Sequence, residues 1–406
     1  EFISSYSGRR ATNYRNAVES FRREPFSAED SHIKAFVKAE KINFSAKKDP
    51  APRVIQPRSP RYNVKLGVYI KPLEFRVYKI IEKIFGAPTV AKGMNAKRLG
   101  GVIHDKWRRF NTPIAVGLDA SRFDQHCSVP ILQWEHDIYK MFYPHDHEFS
   151  ELLNMQLYNH GVGYTNNGTL TYETIGGRMS GDMNTALGNC LLMCAMIYAY
   201  MQTKGIDYEL INNGDDCVLF IEWENLSLLD DVLSWFLTMG YTMKVELPVS
   251  VLEEVSFCQT QPVFDGHDYI MVRDPRVCLS KDLISVKSMR DEGSWRYYAN
   301  AIGECGESLA GGMPIYNEFY RMLQIGRRRN KKLDPETGME WLAQGMTRKY
   351  SSVHAITRVS FFRAFGIIPD YQVAIEEFYR GLKPEYSPGP VDSFTTAISL
   401  ISTSLY

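Results

Sequence analysis

The tripeptide Gly214-Asp215-Asp216 separates two short apolar runs, residues 208–211 and 217–221, and this arrangement constrains the fold more than any other part of the chain. Two apolar runs joined by a short turn are typical of a β-hairpin, so both aspartates should lie at its tip. Neighbouring carboxylates repel each other and are costly to hold together without a cation. The pattern therefore predicts a hairpin that binds divalent metal ions. An ordinary acidic turn is the alternative.

A second acidic site is predicted upstream of the hairpin. The nearly continuous apolar run 114–118 ends in Asp119, and Asp124 follows five positions later. Such a run between turn signals is typical of a strand buried on both faces. If this strand lies beside the hairpin, Asp119 and Asp215 can hold two ions about 3.5–4 Å apart, as phosphoryl displacement requires. Asp216 would then be a secondary ligand. For an aspartate at a strand end, a turn or helix cap is the alternative.

Residues 176–185 form a glycine-rich loop that leads into an apolar stretch ending near Met201. Gly181, Thr185 and Asn189 are spaced four residues apart, so on one helix they would share a face and could contact a single ligand. The apolar part of this helix has about 12 residues and should belong to the core, because a membrane span needs about 20.

Residues 47–65 are rich in proline and in basic side chains. The prolines disfavour a helix and favour extended backbone at four positions, Pro50, Pro52, Pro57 and Pro60. An extended basic strand is therefore predicted, and its side chains suit contact with a triphosphate. These side chains are Lys47, Lys48, Arg53, Arg58, Arg61 and Lys65. A solvated basic loop is the alternative.

Together these segments resemble motifs of viral RNA-dependent RNA polymerases. The order Asp-x4-Asp, Ser-Gly-x3-Thr-x3-Asn and Gly-Asp-Asp is similar to motifs A, B and C, and residues 47–58 are similar to motif F. The sequences Pro-Arg-Tyr-Asn at residues 60–63 and Phe-Cys-Gln-Thr-Gln-Pro at residues 257–262 resemble the corresponding sequences of tombusvirus and carmovirus polymerases. The matching motifs run from about residue 47 to residue 262.

The resemblance implies an α+β fold with an α/β palm, in the right-hand arrangement of fingers, palm and thumb. The palm would be a small antiparallel sheet backed by helices. The implied boundaries are 1–113 and 136–175 for the fingers, 114–135 and 176–265 for the palm, and 266–406 for the thumb. Thumb helices are expected around residues 295–305, 315–325 and 373–382.

Residues 226–239 have helical periodicity, with Asn225 as a plausible N-cap and Gly240 as a C-terminal stop, and a strand is predicted at residues 242–245. This stretch looks like motif D. In that motif Lys244 occupies the position of a proposed general acid for the pyrophosphate leaving group. A lysine that simply faces solvent is the alternative.

The resemblance also implies a role for each matched residue. The catalytic and metal-binding residues would be Asp119, Asp215 and Asp216, which hold two Mg²⁺ or Mn²⁺ ions, together with Lys244 as general acid. Contact with the nucleotide is implied for Lys47, Lys48, Arg53, Arg58, Asp124, Ser180, Thr185 and Asn189. Among these, Asp124 and Asn189 would recognise the ribose 2′-hydroxyl. Contact with RNA is implied for Gly181, Cys258 and Gln259, the last two in a turn that resembles motif E.

Composition agrees with a large protein that binds RNA through part of its surface. The 406 residues carry no formal net charge, yet residues 34–109 contain 19 Lys and Arg against 5 Asp and Glu. This asymmetry predicts salt-sensitive binding to a phosphate backbone. The seven cysteines are odd in number and lack a Cys-x2-Cys pair, which favours free thiols in a reducing compartment over disulfides or structural zinc.

The function implied is template-directed RNA synthesis that replicates a positive-strand RNA genome. Template and product RNA and nucleoside triphosphates are the expected partners, with viral or host replication proteins, and DNA is not expected. The chain begins with Glu1 rather than Met, so we expect a portion of a longer product that reaches membranes through regions outside this chain. The expected location is the host cytoplasm, in membrane-associated replication complexes.

Two alternatives remain open at this point. A reverse transcriptase uses similar carboxylates, but it typically places a bulky aromatic residue where this sequence has Asp124. A non-catalytic RNA-binding replication factor could keep a polymerase-like shape without activity. Comparing ribonucleotide with deoxyribonucleotide incorporation separates the first alternative, and testing for synthesis separates the second.

Overall fold

The computed structural model describes residues 2–40, 51–285, 291–326 and 343–386, which form a mixture of helices and sheets. The strands in chain order are β1 Ile33–Val37, β2 Val54–Ile55, β3 Pro113–Ala120, β4 Tyr158–Thr165, β5 Gly168–Ile175, β6 Glu209–Asn212, β7 Asp216–Glu222, β8 Met243–Val245, β9 Thr260–Phe264 and β10 Tyr269–Arg273. The helices are α1 Gly8–Ser20, α2 Pro60–Phe85, α3 Ala96–Trp107, α4 Val129–Lys140, α5 His147–Asn154, α6 Thr185–Lys204, α7 Val232–Thr238, α8 Pro275–Lys281, α9 Glu292–Ala310, α10 Tyr316–Met322, α11 Ala355–Phe365 and α12 Pro369–Gly381. The fold is therefore α+β, as predicted.

The central sheet consists of four antiparallel strands in the order β6-β7-β3-β8. Its strand β3 is buried on both faces, because Val116 and Leu118 belong to one apolar core and Ala115 belongs to another. The first core includes residues of α2 and α4 to α7, and the second includes residues of α3, β9, β10 and the helices that follow them. Burial on both faces explains the nearly continuous apolar sequence of β3, and the predicted strand is confirmed.

The long apolar stretch of the predicted loop and helix forms α6, and most of its residues are buried. This helix begins at Thr185, so the prediction that Gly181 lies on the same helix is wrong. The preceding loop contains Gly176 and Gly177 with φ values of 69° and 76°, which glycine adopts without strain. Gly181 lies before the helix and packs closely against Pro57.

Residues 226–239 do not form the single predicted helix. They divide between a 3₁₀ segment, Trp223–Leu229, and α7, so Asn225 lies inside the first segment instead of capping a helix. Asp231 stands at the break, where its carboxylate accepts hydrogen bonds from α6. Gly240 has a φ of 85° and follows the helix as the predicted stop, and β8 confirms the strand predicted next.

Residues 51–59 are not helical, as the prolines predict, and β2 is the short strand within them. The helix α2 then begins at Pro60, so the prediction that Arg61 and Lys65 belong to the extended strand is wrong. Proline is well tolerated in a first helical turn, because the N–H that it lacks would have no partner there. The Ser59 hydroxyl caps the helix by accepting a backbone N–H of that turn at 3.2 Å.

A second sheet, in the order β2-β1-β4-β5, joins segments that are distant in sequence. Its strands β1 and β4 are parallel, whereas the other pairs are antiparallel. The antiparallel strands β9 and β10 pack against α3 and α11, and mainly helices follow. The helices predicted toward the C-terminus are confirmed by α9, α10 and α12.

The number and spacing of the cysteines predict free thiols, and the short apolar stretch predicts that α6 is a core helix. All seven cysteines lie within the described residues, and none of them forms a disulfide. Six are buried, and Cys258 is half-buried. Across the same residues, no helix combines the length and the apolar character that crossing a bilayer demands.

Candidate active site

The turn between β6 and β7 carries the Gly-Asp-Asp sequence, and the predicted hairpin is confirmed. The Asn212 side chain shapes the turn, because its Oδ1 accepts the Gly214 N–H at 3.1 Å and its Nδ2 donates to Gly214 O at 2.7 Å. Gly214 has a φ of 93°, a conformation that suits glycine. Asn213 N donates to Asp216 O at 2.8 Å and closes the turn. Asp215 is thus fixed between the turn and the first residue of β7.

The strand register brings the three predicted metal ligands to one end of the central sheet. Asp119 on β3 lies directly opposite Asp216 on β7. Burial raises the pKa of Asp215, and the negative charges of neighbouring aspartates, Asp124 first among them, raise it further. Burial also raises the pKa of Asp216, although a hydrogen bond from Cys258 N at 2.9 Å opposes the rise. Negative charge therefore accumulates at this end of the sheet.

The aspartates at this end of the sheet fit a divalent cation in their chemistry. Carboxylate oxygens are the ligands that Mg²⁺ and Mn²⁺ prefer in proteins. A cation would also offset the repulsion that raises the pKa values. In the part of the chain that the structure describes, however, no three His, Cys, Asp or Glu side chains are close enough together to enclose an ion. The ligand set therefore stays a prediction.

Beside the carboxylates, Asp124 and Asn189 form a hydrogen-bonded pair. Asn189 lies near the start of α6, and its Nδ2 donates to Asp124 Oδ1 at 2.8 Å. Asp124 is held in a 3₁₀ helix, Phe123–His126, that follows Arg122 in the left-handed conformation. The Asn189 Oδ1 is a hydrogen-bond acceptor that has no partner among the described residues. It is also buried, so a ligand O–H would reach it only after the atoms that cover it move. The structure thus brings together the two residues predicted to read the ribose.

Comparison with known proteins identifies the family to which the chain belongs. The family model described as viral RNA dependent RNA polymerase matches residues 1–387. The chain belongs to this polymerase family. The predicted resemblance is therefore confirmed.

Curated relatives of this family member are named RNA-directed RNA polymerase. The relative from Tobacco necrosis virus (strain A) is 47% identical over 387 residues, which cover 93% of this chain and 53% of the relative. The relative from Cucumber necrosis virus is 47% identical over 384 residues, or 93% and 46% of the two chains. The relative from Turnip crinkle virus is 44% identical over 391 residues, or 94% and 50%. The chain thus spans about half the length of the curated relatives it matches.

In this family member, Lys244 on β8 borders the carboxylates. The pairing of β8 with β3 sets Lys244 opposite Asp119, and Lys244 Nζ is 3.9 Å from Asp119 Oδ2. The lysine side chain is 70% exposed, so solvent weakens this ion pair. The geometry is compatible with a proton donor, and that role stays a prediction.

Two arginines of the basic segment have opposite environments. The Arg53 side chain is 65% exposed and bonds to Glu40, and this hydrogen bond raises the pKa of the Arg53 guanidinium. The Arg58 side chain is fully buried, and protein acceptors surround its guanidinium. Contact with a nucleotide would require these bonds to break, so the environment of Arg58 argues against its predicted role in nucleotide binding. Lys47 and Lys48 lie outside the described residues.

Three predicted ligand-binding residues, two in the loop before α6 and one at the start of the helix, contact the protein itself. Ser180 Oγ accepts the Gln56 N–H at 3.2 Å. Thr185 Oγ1 donates to Met179 O at 2.9 Å and closes the loop. Gly181 packs against the proline-rich segment before α2. These contacts fix the shape of the loop, while the predicted contacts with nucleotide and RNA stay predictions.

A tight turn before β9 reaches the carboxylates. Phe257 and Thr260 form a β-bridge, and Cys258 and Gln259 between them have φ values of 51° and 60°. The turn allows Cys258 N to donate to Asp216 at 2.9 Å. Burial raises the pKa of the Cys258 thiol to about 12, so the thiol stays protonated near neutral pH. Gln259 is exposed, which leaves its side chain accessible for the predicted contact with RNA.

Glu246 also lies near the carboxylates, and it is not among the site residues predicted from the sequence. Its side chain packs over Gly117 of β3, where the lack of a Cβ leaves room, and Glu246 N donates to Gly117 O at 2.9 Å. Burial raises the pKa of Glu246, and the charges of Asp216 and Asp119 add to the rise. Glu246 directly follows β8, two residues after Lys244, and this spacing is a usable signal because alternate residues of extended backbone share a face.

Proposed function

We propose that this chain catalyses template-directed RNA synthesis and thereby replicates a positive-strand RNA genome. One observation carries the proposal: Asp119 and Asp216 are opposed across β3 and β7, with Asp215 adjacent and the Asp124–Asn189 pair beside them. Two-metal nucleotidyl transfer needs carboxylates in such a group, and RNA synthesis needs a reader of the ribose hydroxyl. The relatives, which are named RNA-directed RNA polymerase, support the same reaction.

The proposed arrangement is that of fingers, palm and thumb. The central sheet with α6 and α7 would form the palm, from residues 114–135 and 176–265. Residues 1–113 and 136–175 would form the fingers, and the pairing of β1 with β4 supports this grouping of two distant segments. Residues 266–406 would form the thumb.

In the proposed reaction, the 3′-hydroxyl of the growing RNA attacks the α-phosphate of a nucleoside triphosphate paired with the template. Asp119 and Asp215 would hold two Mg²⁺ or Mn²⁺ ions, assisted by Asp216. When bound, such ions lower the pKa of the attacking hydroxyl and neutralise charge on the leaving pyrophosphate. The identity of each added base would come from pairing with the template.

Side chains of the chain itself would orient the nucleotide. Asp124 accepts the amide N–H of Asn189, which leaves the buried Asn189 Oδ1 without a protein partner, and the ribose 2′-hydroxyl would donate to this oxygen once the nucleotide displaces the atoms that cover it. The exposed Arg53 guanidinium bonds to Glu40 through Nε and Nη2, and phosphate oxygens would replace Glu40 to form forked hydrogen bonds with it. Lys244 would donate a proton to the pyrophosphate.

The partners and the location are proposed from the family resemblance. Template and product RNA and nucleoside triphosphates would bind, and DNA would not. Viral or host replication proteins and membranes would complete the complex, in the cytoplasm of the host. Flotation of membranes from infected cells tests this location, and polymerase protein that stays in the soluble fraction would contradict it.

Purified chain incubated with an RNA template, four ribonucleotides and Mg²⁺ or Mn²⁺ tests the proposed reaction. We expect labelled RNA product from the wild type and none from Asp215→Ala. A preference for deoxyribonucleotides would indicate a reverse transcriptase. RNA binding without synthesis would indicate a non-catalytic replication factor.

A further inference from the structure

A three-residue segment before α2 contacts three residues of the loop before α6, one by one. Gln56 N donates to Ser180 Oγ at 3.2 Å. Pro57 packs so closely on Gly181 that a Cβ atom at Gly181 would lie 2.6 Å from Pro57 Cα. The third contact is an ion pair, and we call the six residues the latch: Gln56, Pro57, Arg58, Ser180, Gly181 and Asp182.

The ion pair between Arg58 and Asp182 is the buried end of the latch. Arg58 Nε donates to Asp182 Oδ1 at 2.5 Å, and the two side chains are 0% and 3% exposed. The other guanidinium nitrogens donate to Ser31 O at 2.8 Å, to Met155 O at 3.2 Å and to Asn159 Oδ1 at 2.5 Å. Because losing one partner would strand a buried charge, this end resists opening.

The exposed end of the latch contacts the sheet of β4 and β5. Gln56 Oε1 accepts the Tyr172 Oη hydrogen at 2.6 Å. The Tyr172 ring lies over Gly161, where the absence of a side chain leaves room. Tyr172 is partly exposed, so its hydrogen bond can be removed without stranding a buried charge.

The loop that carries one side of the latch is also bonded to the ribose-reading pair. Arg178 N donates to Asp124 O at 2.7 Å. The helix α6 begins three residues after Asp182 and carries Asn189. The positions of Asp124 and Asn189 therefore depend on the loop that the latch holds.

The other side of the latch continues into the exposed basic segment. Arg53, the proposed phosphate ligand, is three residues before Gln56 and is followed directly by β2. The latch thus joins the segment that would contact the phosphates to the loop that sets the ribose-reading pair.

We propose that the latch makes Arg58 and Asp182 positioning residues for the selection of ribonucleotides. This inference rests on the proposed polymerase function. Neither residue touches the nucleotide, and both act by fixing the loop between Asp124 and Asn189 relative to Arg53. Small displacements of aligned groups are costly to reaction rates, so a loosened loop weakens recognition of the 2′-hydroxyl.

Asp182→Asn tests the buried end of the latch, because it keeps the size of the side chain and removes its charge. We expect the preference for ribonucleotides over deoxyribonucleotides to fall about tenfold, as for the loss of a charged hydrogen bond, and the KM for ribonucleotides to rise more than kcat falls. Asp282→Asn is the matched control, since Asp282 pairs with Arg273 at 2.8 Å and is 4% exposed. The control should lose thermal stability and keep the preference.

Tyr172→Phe tests the exposed end and remains informative if Asp182→Asn does not fold. We expect a fall of about threefold in ribonucleotide preference, as for one neutral hydrogen bond. Amide hydrogen exchange in residues 51–59 should be faster than in the wild type, and this second readout does not depend on activity.

The outcomes separate the latch from the reaction itself. A wild-type chain that makes no RNA contradicts the proposed function, and the selection role falls with it. A wild type that makes RNA, together with unchanged preference and unchanged exchange in the folded latch variants, overturns the latch and leaves the proposed function intact. A preference that falls equally in Asp282→Asn also overturns the latch.

Discussion

Charged side chains occupy two neighbouring regions of the molecule in contrasting ways. At one end of the central sheet, several carboxylates lie near one another, and the exposed Lys244 borders them with its Nζ 3.9 Å from Asp119 Oδ2. Beneath the loop before α6, charges are paired one to one and sealed from water. These buried pairs are Arg58 with Asp182 and Arg178 with Glu135.

The contrast separates charge kept for a ligand from charge used for the fold. Like charges held together oppose folding but keep a capacity to bind cations. Opposite charges that pair with each other are not available to a ligand, and removal of one partner destabilises the fold because the other charge stays buried without compensation. Substitutions in the two regions should therefore affect activity and stability in opposite proportions.

The largest effect is expected for Asp215→Asn in the carboxylate region. RNA synthesis should fall by about 1,000-fold or more, because a neutral side chain cannot replace a metal ligand. Without metal, thermal stability should not fall, because burial raises the pKa of Asp215 and a neutral group is easier to bury. Single-nucleotide extension and thermal melting measure the two effects. If Asp215→Asn kept RNA synthesis and lowered the melting temperature, the carboxylate region would serve the fold and not a ligand.

Glu135→Gln should show the opposite behaviour in the paired region. It leaves the Arg178 guanidinium buried without its counter-charge, so the free energy of unfolding should fall by about 3–5 kcal/mol. Denaturant unfolding measures this change. Glu173→Gln is the control, because its pair with His160 is largely exposed and should matter little. Similar losses in both variants would remove the distinction between buried and exposed pairs.

His136 sharpens the comparison, because it is a titratable ring buried beside the Arg178–Glu135 pair. Burial lowers the pKa of His136 from 6.5 to about 4. Between these values the unfolded chain binds a proton that the folded chain excludes, so stability should fall by about 3 kcal/mol as the pH drops from about 6.5 to about 4. The free energy of unfolding should lose this component in His136→Leu. Parallel pH profiles for wild type and variant would contradict the prediction.

The smallest effect is expected for Lys244→Met at the edge of the carboxylate region. Loss of a proton donor should slow single-nucleotide addition by about 100-fold, and stability should hardly change because the side chain is exposed. Lys244→Arg keeps the positive charge near Asp119 but holds its proton too tightly to donate it. Rescue by arginine would show that charge, and not proton transfer, is what matters. An unchanged rate in Lys244→Met would exclude both roles.

The central sheet could be predicted from the sequence because its signals are local. The apolar runs of β3 and β7 and the glycine turn between β6 and β7 each specify a strand or a turn within a few residues. The structure pairs β3 with β7 in an antiparallel register that sets Asp119 opposite Asp216, whereas the sequence predicts only that the strand with Asp119 lies beside the hairpin. Asp119 and Asp216 come together through the pairing of two neighbouring strands.

Other features could not be predicted, because distant residues decide them. Arg53 and Arg58 look alike in sequence, and the partner that buries Arg58 is Asp182, 124 positions away. A second distant contact is that of Gly181, which lies before α6 and packs on Pro57, 124 positions away in the sequence. A single sequence carries no local signal for either contact.

The length of the turn at residues 257–260 is set by a hydrogen bond to a residue outside the turn, Asp216. Cys258 and Gln259 both take the left-handed conformation, and the Cys258 N–H meets a carboxylate of the central sheet. One inserted residue would rotate that donor away and leave Asp216 half-buried without it. This turn should therefore tolerate replacement of its side chains far better than the insertion or deletion of a residue.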